Sequence, residues 1–159
     1  MMISNNLEDF ENKTILIVGG SSGFGLSLVK YFLNFKCKIY YISRRKNIFK
    51  NTIHLKTDLS NINSLNKTLN ILKKLKIDIL INCAAINFSK SHDKISLQEW
   101  NKVFQVNISS IFLITNAILK NMKKNKYGKI VNVSSIAGRH RSIVSGIHYV
   151  ASKSALIGY

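Results

Sequence analysis

Short runs of aliphatic and β-branched residues alternate along the chain with longer stretches whose apolar positions recur at helical spacing. Thr14-Ile15-Leu16-Ile17-Val18 is apolar without alternation, the pattern of a strand buried on both faces, and Gly19-Gly20 ends it. Leu26, Val29 and Leu33 then predict a helix over 25–35. Strands are predicted over 38–43 and, shorter, over 52–56. Leu65, Leu69, Leu72 and Leu75 form the stripe of a second helix. A strand over 77–82 is bounded by Cys83-Ala84-Ala85, and a long helix follows over 97–124, with a break expected near Trp100 or Asn107. A fifth strand is expected over 129–134, and a last helix begins near Tyr149. Strand and helix alternating in this way imply an α/β fold: a doubly wound parallel sheet with helices on both faces. No internal repeat or linker divides the 159 residues, so 1–159 reads as a single domain.

Composition adds boundaries. Apolar residues make up 46% of the chain and charged residues 19%, which excludes disorder. No uninterrupted apolar run approaches 18 residues, and the opening segment lacks a signal-peptide pattern, so no membrane partner is expected. Cys37 and Cys83 stand alone and read as reduced, buried thiols of a cytoplasmic protein. The net charge of +17 raises the question of nucleic acid. Yet 20 of the 24 basic residues are Lys, and Ile, Lys and Asn fill 61 positions, the bias of A+T-rich codons. The densest clusters, Lys73-Lys74-Lys76 and Lys123-Lys124-Lys126, read as solvated surface, and no specific nucleic-acid partner is expected.

The candidate chemistry begins at Val18-Gly19-Gly20-Ser21-Ser22-Gly23-Phe24-Gly25, between the first strand and the first helix. A glycine-rich turn in that position lets the backbone approach a pyrophosphate and aims free helix N–H groups at it. A plain tight turn is the alternative. An NAD site needs a carboxylate at the end of the second strand, but no Asp or Glu occurs between Asn12 and Thr57. Ser43-Arg44-Arg45 stands there instead, and planar guanidinium groups suit the 2′-phosphate of NADP, which is favoured over NAD.

Tyr149 and Lys153 lie at i and i+4, on one face of a helix. A free phenol ionises near pH 10, and lowering that by about three units takes roughly 4 kcal/mol, which a fixed cation in a desolvated cleft can supply. A strand ending in Ser134-Ser135 precedes the pair, and strand carboxyl ends are where open α/β sheets place their ligands. His54, His92, His140 and His148 show no metal-ligand spacing, so no metal is expected. His148 reads as a pocket wall or an exposed helix start.

Taken in order, these motifs resemble the short-chain dehydrogenase/reductase family, over nearly the whole chain from Thr14 to Tyr159. The glycine turn is similar to the family's TGxxxGxG, Asp58-Leu59 to its acidic step after the third strand, and Asn82-Cys83-Ala84-Ala85 to its NNAG. Asn107 is similar to the helix asparagine, Ser135 to the catalytic serine, and Tyr149 with Lys153 to YxxxK. In detail the chain looks most like reductases of 3-oxoacyl carriers and their sugar or polyol relatives.

The resemblance implies a Rossmann-type fold and hydride transfer between NADP(H) and a small carbonyl or secondary alcohol. It implies Tyr149 as general acid/base, Ser135 as hydrogen-bond donor to the carbonyl oxygen, and Lys153 as the cation that holds the nicotinamide ribose. Asn107 would anchor a relay water. Gly19, Ser21, Ser22, Phe24 and Gly25 would line the pyrophosphate, Arg44 and Arg45 the 2′-phosphate, Asp58 and Leu59 the adenine, and Asn82 and Ala84 the ribose. The Ser135–Tyr149 interval is one residue longer than the commonest spacing, so Ser134 stays open as the active hydroxyl, although Ser-x-x-Gly at Gly138 favours Ser135. Arg139, His140 and Arg141 would border the substrate, against the alternative of a solvated loop. Family members continue past Tyr159 through further strands and a substrate-covering segment. The expectation is therefore a C-terminally truncated or split domain, with the fifth strand as an open edge, that acts as a homo-oligomer or with a complementing chain. The rival expectation is an inactive NADP(H)-binding module.

Overall fold

The computed structural model describes residues 10–47, 49–140 and 142–159. Arg141 lies outside the described residues. Five strands form one parallel sheet: β1 (Thr14–Val18), β2 (Lys38–Ser43), β3 (Thr52–Lys56), β4 (Ile79–Asn82) and β5 (Lys129–Asn132). Their spatial order is β3-β2-β1-β4-β5. Helices α1 (Gly23–Phe32), α2 (Ile62–Leu72), α3 (Leu97–Phe104), α4 (Ser110–Lys124) and α5 (Ile147–Gly158) cover it, as the alternating pattern predicts.

The absence of alternation in β1 has its cause in the two cores. Leu16 and Val18 face one way, with Tyr40, Ile42 and Leu80, against Leu65, Leu69 and Leu72 of α2 and Ile114, Ile118 and Met122 of α4. Ile15 and Ile17 face the other way, with Ile39, Tyr41, Ile79 and Ile81, against Val29 and Phe32 of α1. Each strand residue thus finds a helix on its own side, and complete burial of 15–18 follows.

Several boundaries differ from the sequence expectation. The first helix starts and ends earlier than 25–35, because the turn of its N-terminus begins at Gly23. The fourth and fifth strands are shorter than 77–82 and 129–134. Asp78 spends its carboxylate on the Thr14 N–H at 2.8 Å, and Ser134 turns to the last helix instead of continuing the ladder. That last helix starts at Ile147, two residues before Tyr149.

The long helix is bent by a π-turn and does not break. Gln105–Ser109 winds one residue wider, so the Ser110 N–H reaches the Gln105 carbonyl. The Val106 carbonyl that this leaves is taken by the Ser110 hydroxyl at 2.7 Å. The run Leu97–Lys124 is long and apolar enough to cross a membrane by length and composition, and half of its most apolar window is buried within the fold. Asn121 ties α4 to the end of α2, donating to the Lys73 and Leu75 carbonyls at 3.0 Å each.

Candidate active site

The strand order reverses direction between β1 and β4, and their carboxyl ends open there into a cleft of about 320 Å³. Open α/β sheets hold ligands at such a switch point. The turn after β1 forms one wall. Gly19 has φ +92°, and a Cβ on it would lie 2.8 Å from the Ala84 nitrogen, so only glycine lets this turn meet the chain leaving β4. A Cβ on Gly25 would overlap the Gly19 carbonyl, so the second glycine seats α1 against the turn. The first turn of α1 carries no acidic residue, and the N-cap Ser22 makes no side-chain bond to it. The helix therefore presents its N–H groups and positive dipole end without a built-in anion. The turn is braced from outside by Asn47, whose side chain donates to the Ser21 carbonyl at 2.9 Å.

At the end of β2, Ser43 does not offer a free hydroxyl. It donates to the Arg45 carbonyl at 2.5 Å and lies 3.0 Å from the His54 ring nitrogen. Its role is to fold the Arg44-Arg45 turn. Arg44 lines the cleft and Arg45 does not; both are exposed, and neither forms an ion pair among the described residues. Opposite Arg44 stands Asp58, which accepts from the Ser60 hydroxyl at 2.7 Å and the Ser60 N–H at 2.9 Å. The Ser60 hydroxyl bond holds its carboxyl below the usual range, with burial acting against it and Arg44 and Lys102 adding their charge.

The remaining residues singled out by sequence, Asn107, Ser134, Ser135, Tyr149 and Lys153, gather around the end of β5. Asn107 is fully buried at the π-turn; it accepts from the Ile86 N–H at 2.9 Å and donates to the Ile86 carbonyl at 3.0 Å and the Ser152 hydroxyl at 2.9 Å. Its amide N–H groups are both spent, and one Oδ1 lone pair remains. Lys153 is 2% exposed; its Nζ donates to the Val133 carbonyl at 2.7 Å and lies 5.8 Å from the Tyr149 ring centre. Burial pulls the ammonium below the usual lysine value, with Cys83 acting against that. Burial likewise pushes the Cys83 thiol up to about 11, with Lys153 opposing.

Hydrogen-bond accounting separates the tandem serines. The Ser134 hydroxyl donates to the Lys153 carbonyl at 3.0 Å, so its proton is committed to α5. The Ser135 oxygen accepts from the Ala137 N–H at 3.1 Å, and its proton has no acceptor among the described residues. A half-buried hydroxyl that is already receiving a bond, with its own proton uncommitted, is the better donor.

The cleft therefore brings together Gly19, Ser21, Ser22, Phe24, Gly25, Arg44, Asp58, Leu59 and Ala84. Asn82 is not on its wall; its side chain donates to the Asn132 oxygen at 2.8 Å and ties β4 to β5. Sequence reasoning missed Lys102, Thr57, Ser60 and Ile86, which also line the cleft. Thr57 and Ser60 flank the Asp58-Leu59 step after β3, whereas Lys102 comes in from α3 and Ile86 from the loop after β4, where no motif marks them. Cys37 and Cys83 are half-buried, more accessible than the fully buried thiols expected, since both sit where a strand meets a loop. His148 is fully buried against Phe88 at 6.0 Å with both ring nitrogens unbonded, so it is a wall of the α5 packing and not an exposed helix start. Arg139 and His140 are exposed.

The fold and its switch-point cleft define a doubly wound protein of the dinucleotide-binding kind. The family model for short chain dehydrogenase matches residues 13–159, and the chain belongs to that family. It is 32% identical to 3-oxoacyl-(acyl-carrier-protein) reductase FabG of Buchnera aphidicola subsp. Baizongia pistaciae, over 92% of this chain and 64% of the reductase. A short chain dehydrogenase from Leptospira borgpetersenii with bound NAD+ superposes with a TM-score of 0.88 at 25% identity, over 99% of this chain and 66% of that one. A 4-hydroxyisoleucine dehydrogenase complexed with NADH gives a TM-score of 0.82 at 34% identity, over 92% and 66%. The chain thus spans just under two thirds of the length of each of these relatives.

Proposed function

We propose that this single domain binds NADP(H) and carries the acid/base residues of an oxidoreductase that interconverts a carbonyl and a secondary alcohol of the 3-oxoacyl, sugar or polyol type. The observation that carries it is the cleft itself, in which a turn whose Gly19 and Gly25 admit no side chain shares the wall with an Arg44 that forms no ion pair among the described residues. The residues present fit the dinucleotide. Gly19, Ser21, Ser22, Phe24 and Gly25 would hold the pyrophosphate at the α1 N-terminus, Arg44 and Arg45 the 2′-phosphate, Asp58 and Leu59 the adenine, and Asn82 and Ala84 the ribose through their main chain. When bound, the cofactor supplies or accepts the hydride.

The remaining steps belong to this chain. Tyr149 gives its hydroxyl proton to the carbonyl oxygen on reduction and takes it back on oxidation. Ser135 donates its uncommitted proton to the same oxygen and stabilises the charge developing there. Lys153 offers the N–H groups that Val133 leaves free to the nicotinamide ribose. Asn107 ties the loop after β4 to α5 and holds the relay water with its remaining lone pair.

NAD+ and NADH are the ligands of the solved relatives; in this chain the lack of a carboxylate from Asn12 to Thr57 and the two guanidinium groups favour the phosphorylated cofactor. The second reading is an NADP(H)-binding module without turnover. Calorimetric titration with NADPH and NADH tests the cofactor, and hydride transfer to a panel of ketones and 3-oxoacyl thioesters tests turnover. Saturation that prefers NADPH is expected. Preference for NADH overturns the cofactor assignment, and binding without turnover selects the module.

A further inference from the structure

The end of β5 holds Lys153 at both ends of the residue. Val133 accepts from its ammonium at 2.7 Å, and Ser134, the next residue, donates to its main-chain carbonyl at 3.0 Å. The opposite side is closed by Gly138, where a Cβ would lie 2.8 Å from the Lys153 carbonyl carbon and oxygen. Ser154, the next residue of the same helix, adds a bond of 2.9 Å to the Gly138 carbonyl. A lysine side chain has four rotatable bonds, so the place from which it presents its charge depends on where its backbone is fixed.

We propose that Ser134 is a positioning residue for Lys153, fixing the register of α5 against the end of β5 so that the ammonium meets the Val133 carbonyl. The tandem serines then divide the work. Ser135 keeps its proton for a substrate oxygen, and Ser134 sets the cation that serves Tyr149. This rests on the reading of Lys153 as that cation. The register of the helix is the part that can be tested without cofactor or turnover.

Competitive acylation with acetic anhydride reads it in the cofactor-free 159-residue chain, with Lys153 compared against Lys67 by peptide mass spectrometry across the alkaline range. Lys67 is exposed on α2, far from the clamp. A single side chain–backbone bond sets the scale: Ser134→Ala is expected to raise the Lys153/Lys67 ratio about five-fold, and Ser134→Thr, which keeps the hydroxyl, to stay within about two-fold of wild type. Asn34→Ala, which removes side chain–backbone bonds at the end of α1, is expected to leave the ratio unchanged. An unchanged ratio in Ser134→Ala overturns the proposal, and so does an equal rise in Ser134→Thr or Asn34→Ala. Should Ser134→Ala fail to fold by circular dichroism, Ser134→Cys, near-isosteric and a weak donor, is read in its place by the same criterion. NADPH titration of the wild-type chain runs alongside: failure to bind counts against the functional reading and leaves the labelling result to judge the clamp by itself.

Discussion

Arg44 lines the nucleotide cleft with no carboxylate paired to it, beside an Asp58 that is already bonded by Ser60. On the proposed reading its partner is the 2′-phosphate, which NADH lacks. Arg44→Ala is expected to weaken NADPH binding about 10- to 100-fold and NADH binding by no more than about two-fold, as read by calorimetry. Cys83 lies in the same cleft with its thiol pushed up to about 11. Near pH 8 roughly one molecule in a thousand carries the thiolate, against about one in four for a free cysteine, so iodoacetamide should alkylate Cys83 about 250-fold more slowly than a model thiol. Lys153 is buried, and its folded value is lowered. Between that value and the unfolded one the unfolded chain holds more protons, so stability rises with pH through the window. Lys153→Met is therefore expected to raise the unfolding free energy by about 1 kcal/mol at neutral pH, and the gain should shrink as pH climbs toward the unfolded lysine value. Urea unfolding at several pH values checks both signs. At this scale Gly19 and Gly25 were legible because their spacing between a strand and a helix carries the turn. Lys102 and the division of labour between Ser134 and Ser135 were not, because a proton's partner is set by what folds against it.

At the scale of elements, the π-turn at Gln105–Ser109 is the piece that joins the halves of the site. It turns Asn107 inward, where one side chain satisfies both main-chain groups of Ile86 and the Ser152 hydroxyl. Asn107→Ala leaves the Ile86 groups unpaired in the interior, and a loss of about 3 kcal/mol is expected in urea unfolding. The sequence pattern locates a disturbance near Asn107 but not its kind, because a widened turn and a chain break interrupt helical spacing in the same way. The shortening of β5 has a comparable origin. Ser134 directly follows the β-branched run and so falls within the expected strand, yet its bond to α5 takes it out of the ladder.

For the whole molecule, the lysines singled out by sequence end α2 and α4: Lys73 caps α2, and Lys123 and Lys124 sit in the last turn of α4. Cations there complement helix dipoles, which accounts for much of their placement without a polyanionic partner. The sheet is less settled at its margin. In β5, Ile130 and Val131 are 37% and 48% exposed, on a strand paired on one side only. Such an edge pairs readily with another chain. The sedimentation coefficient of the isolated chain is expected to rise with concentration, and Val131→Lys to flatten that rise.

The sequence by itself determined the doubly wound class, the order of its elements and the nucleotide turn. Each of these is written in local periodicity and in residues that only one backbone conformation tolerates. The tertiary structure alone decided which cations reach the cleft, which of two adjacent serines is free to donate and how Asn107 is spent. Those are questions of proximity between segments that lie tens of residues apart, and local pattern carries no record of distance.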